Sequence, residues 1–227
     1  MVQAFAEAGA NVVIASRKLD NCEKAAREVE EATGRTAVPV ACHVGHWDEC
    51  DRLIDAVYDR FGRIDVLVNN AGMSPLYENL ASITEELYDK TAAVNLKGPF
   101  RLATLAGTRM FEAGGGSIVN VSTVGSLMAS VRELPYACAK AGLNLMTVGL
   151  AEAFAPKVRV NCILPGAFAT DITKAWTPEM REGAMIPLQR LGQPDEIVGA
   201  ALYFASDASR YTTGALLKVD GGITRHP

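Results

Sequence analysis

Two side chains four residues apart, Tyr136 and Lys140, offer the most direct chemistry in this sequence. They open a segment of helical character, YACAKAGLNLMTVGLAEAF, and a spacing of four puts them on one face of a helix, the ammonium beside the phenol. A free tyrosine ionises near pH ~10, too high for a proton acceptor at neutral pH. One positive charge at ~4 Å in an effective dielectric of ~20 is worth ~4 kcal/mol, or about three pKa units. That shift brings the phenol into the range where it exchanges protons with an alcohol or a carbonyl. Spacing alone does not separate such a pair from a surface tyrosine and lysine one turn apart, so the surrounding segments decide.

Three of them bear on it. DVLVNNAG at residues 65–72 reads as a buried strand ending in Asn69, Asn70, Ala71 and Gly72, small residues that let a ligand approach the backbone at the strand's carboxyl end. AVNLKGPF places Asn95 in a helical stretch, and IVNVSTVGS places Ser122 and Thr123 at the end of another strand. Adjacent side chains on a strand point to opposite faces, so one of these two hydroxyls reaches a substrate and the other does not. ILPGAFATD ends a strand on Pro165 and Gly166 and then offers Thr170. The three histidines, His43, His46 and His226, lack partners at ligand spacing, and no metal is expected.

The elements that must position these groups follow from periodicity. Apolar, β-branched runs at NVVIAS, TAVPVAC, DVLVNN, SIVNVS, VRVNCIL and ALLKVD alternate with segments of helical period, the pattern of βαβ units around a parallel sheet. The runs are nearly uniform rather than alternating, as strands covered on both faces require. Cys50, Leu53, Ile54, Val57, Tyr58 and Phe61 form one apolar helix face closed by Gly62. Glycines at 114–116 and 221–222 mark turns. The fold class is therefore α/β, with one doubly wound parallel sheet and helices on both faces, in a single domain over residues 1–227. Between Phe168 and Arg190, Trp176, Met180, Met185 and Ile186 sit among Pro178 and Pro187; they form either a flap over a substrate, at about 168–190, or core packed under a loop.

Composition narrows the partners. A formal net charge of −4 with no Lys/Arg run argues against nucleic acid and acidic membranes. Five scattered cysteines without CxxC spacing indicate neither a disulfide framework nor a zinc site and point to a reducing compartment. No apolar run reaches the ~18 residues of a membrane span, and no signal peptide is visible, so a cytoplasmic protein is expected.

The front of the chain departs from the βαβ pattern. Residues 1–8 read as a helix tail stopped by Gly9, with the first strand after it. In a dinucleotide-binding unit that helix follows a strand and a glycine-rich turn whose backbone N–H groups hold the pyrophosphate, and neither is present ahead of it. Five buried apolar side chains at ~1.5–3 kcal/mol each rival the whole stability of a domain, ~5–15 kcal/mol. The natural protein is therefore expected to begin about 15–25 residues before Met1.

Taken together in this order and spacing, NNAG, the hydroxyl segment, Y-x3-K and the PG turn resemble the short-chain dehydrogenase/reductase family along the whole chain. That resemblance implies a Rossmann-type, NAD(P)-dependent oxidoreductase acting on a small-molecule ketone or secondary alcohol. Asn95, a hydroxyl, Tyr136 and Lys140 would form the catalytic tetrad, Tyr136 as acid/base, Lys140 holding phenolate and ribose, and Asn95 supporting a water relay. Asn70, Ala71 and Gly72 would line the adenosine side, and Pro165, Gly166 and Thr170 the nicotinamide side. Counting back thirteen residues from Tyr136, the family's serine falls on Thr123, with Ser122 one residue off, and Thr123 is favoured. Where the family has an aspartate against adenine this chain has Cys42-His43-Val44, so His43 contacts the ring or is a plain loop residue. The first strand ends on Ser16 and Arg17 with no acid after them; Arg17 is either an exposed cation or a partner of the 2′-phosphate, which makes NADP(H) the preferred cofactor, with NAD(H) possible. A homodimer or homotetramer is implied, built on helices near 92–110 and 136–154. The rival expectation is a non-catalytic or cofactor-weak relative with a binding or regulatory role, because the phosphate-binding loop is missing.

Overall fold

The computed structural model describes residues 1–128, 130–170 and 182–224. In chain order the elements are α1 (Val2–Glu7), β1 (Val12–Ser16), α2 (Leu19–Thr33), β2 (Ala37–Ala41), α3 (Trp47–Phe61), β3 (Val66–Asn69), α4 (Glu85–Ala92), α5 (Gly98–Ala113), β4 (Gly116–Val121), α6 (Leu134–Phe154), β5 (Val158–Pro165), α7 (Val198–Ala205) and β6 (Leu216–Val219). Each of the six apolar runs is a strand, and every ladder between them is parallel. Helix α3 ends as its sequence requires: Gly62 is left-handed at φ 72° and its N–H returns to the Tyr58 carbonyl. Asp48 and Glu49 in the first turn of α3 complement its dipole.

The uniformly apolar strands have a structural counterpart in two cores, one on each face. Ile118 of β4 and Val158 and Val160 of β5 pack on Leu53 and Ile54 of α3 and on Leu102, Ala106 and Met110 of α5. Val119, the next residue of β4, points the other way with Ile163 and meets Ile197, Ala201 and Phe204. A third cluster, Ala6, Val12, Ala26, Val29 and Ala37, serves β1 and β2 alone.

The hydrogen-bonded ladder is interrupted. One sheet has the order β1-β2 and the other β3-β4-β5-β6, so β1 and β3 each have one strand neighbour. Between them lies a cavity of about 720 Å³, lined by Val12 and Val13 of β1, Val66 and Val68 of β3, Phe5 of α1 and Ile54 of α3. Its walls are apolar side chains and the facing edges of β1 and β3.

Two devices fix the site-bearing elements. Asn69 Nδ2 donates to Asn120 Oδ1 at 2.9 Å and Asn120 Nδ2 to Thr147 Oγ1 at 2.9 Å, a buried string tying β3, β4 and α6 together. Gly98 opens α5 against the loop after β2, where a Cβ would stand 2.0 Å from the Val44 carbonyl oxygen. Among the described residues no helix is long and apolar enough to cross a membrane. Of the flap segment, Trp176, Pro178 and Met180 lie outside the described residues; Ile186 is buried and Met185 is 88% exposed.

Candidate active site

The site begins at a widened helical turn. Between α4 and α5 the chain makes a π-helical turn over Ala93–Lys97, and such turns recur at functional positions because they re-aim one side chain. Here the residue is Asn95, fully buried. Its Nδ2 donates to the carbonyls of Thr91 and Met73 at 2.8 Å each, and its Oδ1 accepts from the Met73 N–H at 3.2 Å. Asn95 thus clamps the segment leaving β3. A Cβ on Gly72 would lie 3.2 Å from Asn95 Oδ1 and 3.6 Å from Lys140 Nζ, so this stretch of backbone passes directly over both groups only because it is glycine.

Tyr136 and Lys140 occupy the first turns of α6, with Pro135 in the N-terminal turn where its missing N–H costs nothing. Lys140 is 2% exposed and its Nζ donates to the Val121 carbonyl, the last of β4, at 2.7 Å. The ammonium stands 5.9 Å from the centroid of the Tyr136 ring. Burial brings Lys140 down to about 8, so it remains mostly protonated at pH 7. The phenol does not follow the expectation of a lowered pKa: burial, with the negative charge of Glu133 added, pushes it up to about 12, and only the Thr123 hydroxyl pulls it back. The reason is geometric. The ammonium is turned to the Val121 carbonyl rather than to the phenolic oxygen, so desolvation of the phenolate outweighs it.

The two candidate hydroxyls separate as strand alternation requires. Thr123 faces Tyr136, and its Oγ1 also accepts from the Gly125 N–H at 3.1 Å. Ser122 is buried, and its Oγ donates to the Lys140 carbonyl at 3.2 Å. Tyr136, Lys140, Asn95, Thr123 and Gly72 are therefore gathered at the carboxyl ends of β3 and β4, while Ser122 supports α6 from behind.

The other expected residues lie along the same edge. Asn70 and Ala71 are exposed beyond β3 and line the mouth of the central cavity. Ser16 and Arg17 are exposed at the end of β1. Pro165 closes β5, and Gly166 is packed so closely on the exit of β6 that a Cβ would meet Asp220 Cα at 2.7 Å. Thr170 follows, its N–H on the Phe168 carbonyl at 2.9 Å. His43 is held within its own loop: its ring stacks on His46 with centroids 4.3 Å apart, and its Nδ1 accepts from the Gly45 N–H at 3.1 Å. The Val44 carbonyl accepts from the Cys50 thiol at 3.3 Å, a structural use of the position.

Two residues escape a reading of the sequence. Tyr77 straps the loop before α6, donating to the Val131 carbonyl at 2.7 Å and accepting from the Leu134 N–H at 2.8 Å; no local pattern announces a contact 54 residues away. Glu133 stands at the cap of α6, half-buried, and burial raises its pKa. Its spacing of three from Tyr136 was the available signal.

Parallel strands clad by helices, with polar groups converging beyond their carboxyl ends, define a Rossmann-like α/β fold. The family model described as Enoyl-(Acyl carrier protein) reductase matches residues 1–224. The chain is 39% identical over 227 residues to L-rhamnose 1-dehydrogenase (NAD(P)(+)) of Azotobacter vinelandii, covering 96% of this chain and 88% of that protein. It is 36% identical over 222 residues to the 3-oxoacyl-[acyl-carrier-protein] reductase FabG of Thermotoga maritima, covering 96% and 89%. Among solved structures, a gluconate 5-dehydrogenase from Burkholderia cenocepacia in complex with NADP and tartrate superposes with a TM-score of 0.92 at 32% identity, covering 99% of this chain and 89% of that one. The chain belongs to the short-chain dehydrogenase/reductase family, enzymes that use a nicotinamide cofactor. Its residues fit such a group: the Gly72 backbone leaves open the space above Asn95 and Lys140 that a side chain would fill.

Proposed function

We propose that the protein transfers a hydride between NADP(H) and a small-molecule ketone or secondary alcohol, with Tyr136 as the acid/base. The observation behind this reading is the convergence of Tyr136 with Thr123 and Lys140 where β4 ends. The cofactor, when bound, supplies or accepts the hydride. Thr123 donates a hydrogen bond to the substrate oxygen and stabilises the negative charge that develops there. In reduction Tyr136 gives its proton to that oxygen, and in oxidation it takes the proton back. With its pKa pushed up to about 12, the phenol is protonated at neutral pH, the state from which reduction starts. Lys140 holds the ribose hydroxyls, Asn95 keeps the Lys140 side of the site in place, and Ser122 holds α6. Asn70, Ala71 and Gly72 lie along the adenosine, and Pro165, Gly166 and Thr170 along the nicotinamide.

Arg17, exposed at the end of β1 with no acid beside it, suits the 2′-phosphate of NADP(H), NAD(H) being the weaker partner. The protein works as a cytoplasmic single-domain enzyme, a homodimer or homotetramer paired through α5 and α6, where Leu145 is 75% exposed. The test is Tyr136→Phe, which abolishes turnover and leaves NADPH affinity nearly unchanged; turnover that persists rules the mechanism out. The cavity opening beside Asn70 and Ala71 favours a second reading, a cofactor-weak protein with a binding or regulatory role. Titration by NADPH fluorescence separates the two, since absence of saturable binding supports the second.

A further inference from the structure

Among the described residues, Glu133 is a charged group at the site whose chemistry the proton transfer leaves unused. Its Oε1 lies over Gly125: a Cβ on that glycine would meet Glu133 Oε1 at 2.6 Å and Thr123 Oγ1 at 3.4 Å. The carboxylate and the hydroxyl that faces Tyr136 therefore border one small space. The structural uses open to an acid at this position are not taken up. Glu133 caps α6 by position, but its side chain accepts no capping hydrogen bond. Among the described residues no ion pair or hydrogen bond engages its carboxylate, although it is half-buried. A desolvated acid without a partner costs stability, and its charge works against ionisation of Tyr136. Beyond the favourable field of the α6 N-terminus the fold makes no hydrogen bond to this carboxylate, and its charge opposes ionisation of Tyr136, which leaves a ligand as the partner it lacks.

We infer that Glu133 selects the substrate, its carboxylate accepting a hydrogen bond from a hydroxyl on the carbon next to the reacting centre, so that the site takes neutral polyhydroxylated molecules such as aldoses and turns away carboxylated ones. The inference rests on the reading of Tyr136 and Thr123 as the reacting site. A carboxylate on the substrate would meet a like charge at a poorly hydrated position. An ammonium on the substrate would face that of Lys140 across the same phenol. A neutral donor is what both charges accept.

The experiment is steady-state oxidation with NADP⁺ or NAD⁺ of three alcohols: a free aldohexose, a simple secondary alcohol with no other hydroxyl, and the hydroxy acid gluconate. The unaltered chain prefers the aldose. Glu133→Leu lowers the ratio of kcat/KM for aldose over simple alcohol by about tenfold or more, chiefly through KM, as loss of a charge-assisted hydrogen bond should. Glu133→Gln keeps an acceptor oxygen and loses the charge, so it retains part of that ratio while improving gluconate relative to the aldose. If Glu133→Leu and Glu133→Gln change all three substrates in proportion, or if the unaltered chain handles gluconate as well as the aldose, the inference is wrong. If those results come with turnover that Tyr136→Phe abolishes, the proposed activity stands and only the role of Glu133 falls. Absence of turnover with every substrate overturns both.

Discussion

Lys140 is held where an ammonium is least comfortable, buried and brought down to about 8 from an ordinary value near 10.5. Because its folded pKa lies below the unfolded one, the unfolded chain binds more protons between those values, and stability rises with pH across that window. About 2.5 units correspond to roughly 3 kcal/mol. Tyr136 and Cys162, both raised by burial to about 12, act oppositely and lose stability as pH rises through 9 to 12. The contribution of Lys140 is therefore read as a difference: between pH 8 and 10, Lys140→Met is expected to gain less stability than the unaltered chain in urea unfolding at each pH. Equal slopes would mean that the lysine is better solvated than its surroundings indicate. The two hydroxyls give a second prediction at this scale. Thr123→Val should lower kcat by about 10²-fold or more, as removal of an oxyanion donor does, whereas Ser122→Ala, which removes a hydroxyl bonded to the Lys140 carbonyl and near Ser126 Oγ, stays within about tenfold. The reverse order would exchange their roles. Tyr136, Lys140 and Asn95 were legible because spacing and motif specify them. The direction of the phenol's pKa was not, since spacing gives a neighbouring charge but says nothing of burial or of the Val121 carbonyl that draws the ammonium away.

At the scale of elements, helix ends and strands were readable from local pattern. Gly62 stops α3 because only glycine adopts its φ without strain, and the uniformly apolar runs of β4 and β5 are strands covered on both faces. The π-helical turn at Ala93–Lys97 was not readable: α4, the turn and α5 all pack on α6, and the turn's residues have ordinary helical character. Gly98, next to that turn, ties it to the loop after β2. Gly98→Ala would drive a methyl group into the Val44 carbonyl, and overpacking of this kind costs about 1–3 kcal/mol. Thermal denaturation should show a fall of several degrees, with lowered activity because Asn95 moves with the start of α5. An unchanged melting temperature would show that α5 can shift without penalty.

For the whole molecule, the parallel α/β order was evident in the sequence, because six apolar runs alternate with segments of helical period. What local pattern does not show is that the β1-β2 ladder and the β3-β4-β5-β6 ladder stand apart, β1 and β3 not pairing with each other. The helices hold that separation in place: α2 serves the cluster around Val12 and Ala26, which α1 links through Phe5 to the one around Val119, and α3 and α5 serve the one around Ile118. Closing the gap would pull each strand off its own core.

Two ladders that share no rung do not have to melt together. The β1-β2 pair rests mainly on five small buried residues, with Val13 and Val40 also touching the larger core, whereas β4 and β5 are enclosed on both sides by larger ones, so the first pair is expected to open at a lower free energy. Amide hydrogen exchange should show this as two protection plateaus, with the N–H groups of Val13 to Ser16 and of Val38, Val40 and Ala41 exchanging through partial opening at a lower free energy than those of Ile118 to Val121. A single plateau would mean that the helices couple the halves as firmly as a shared strand does.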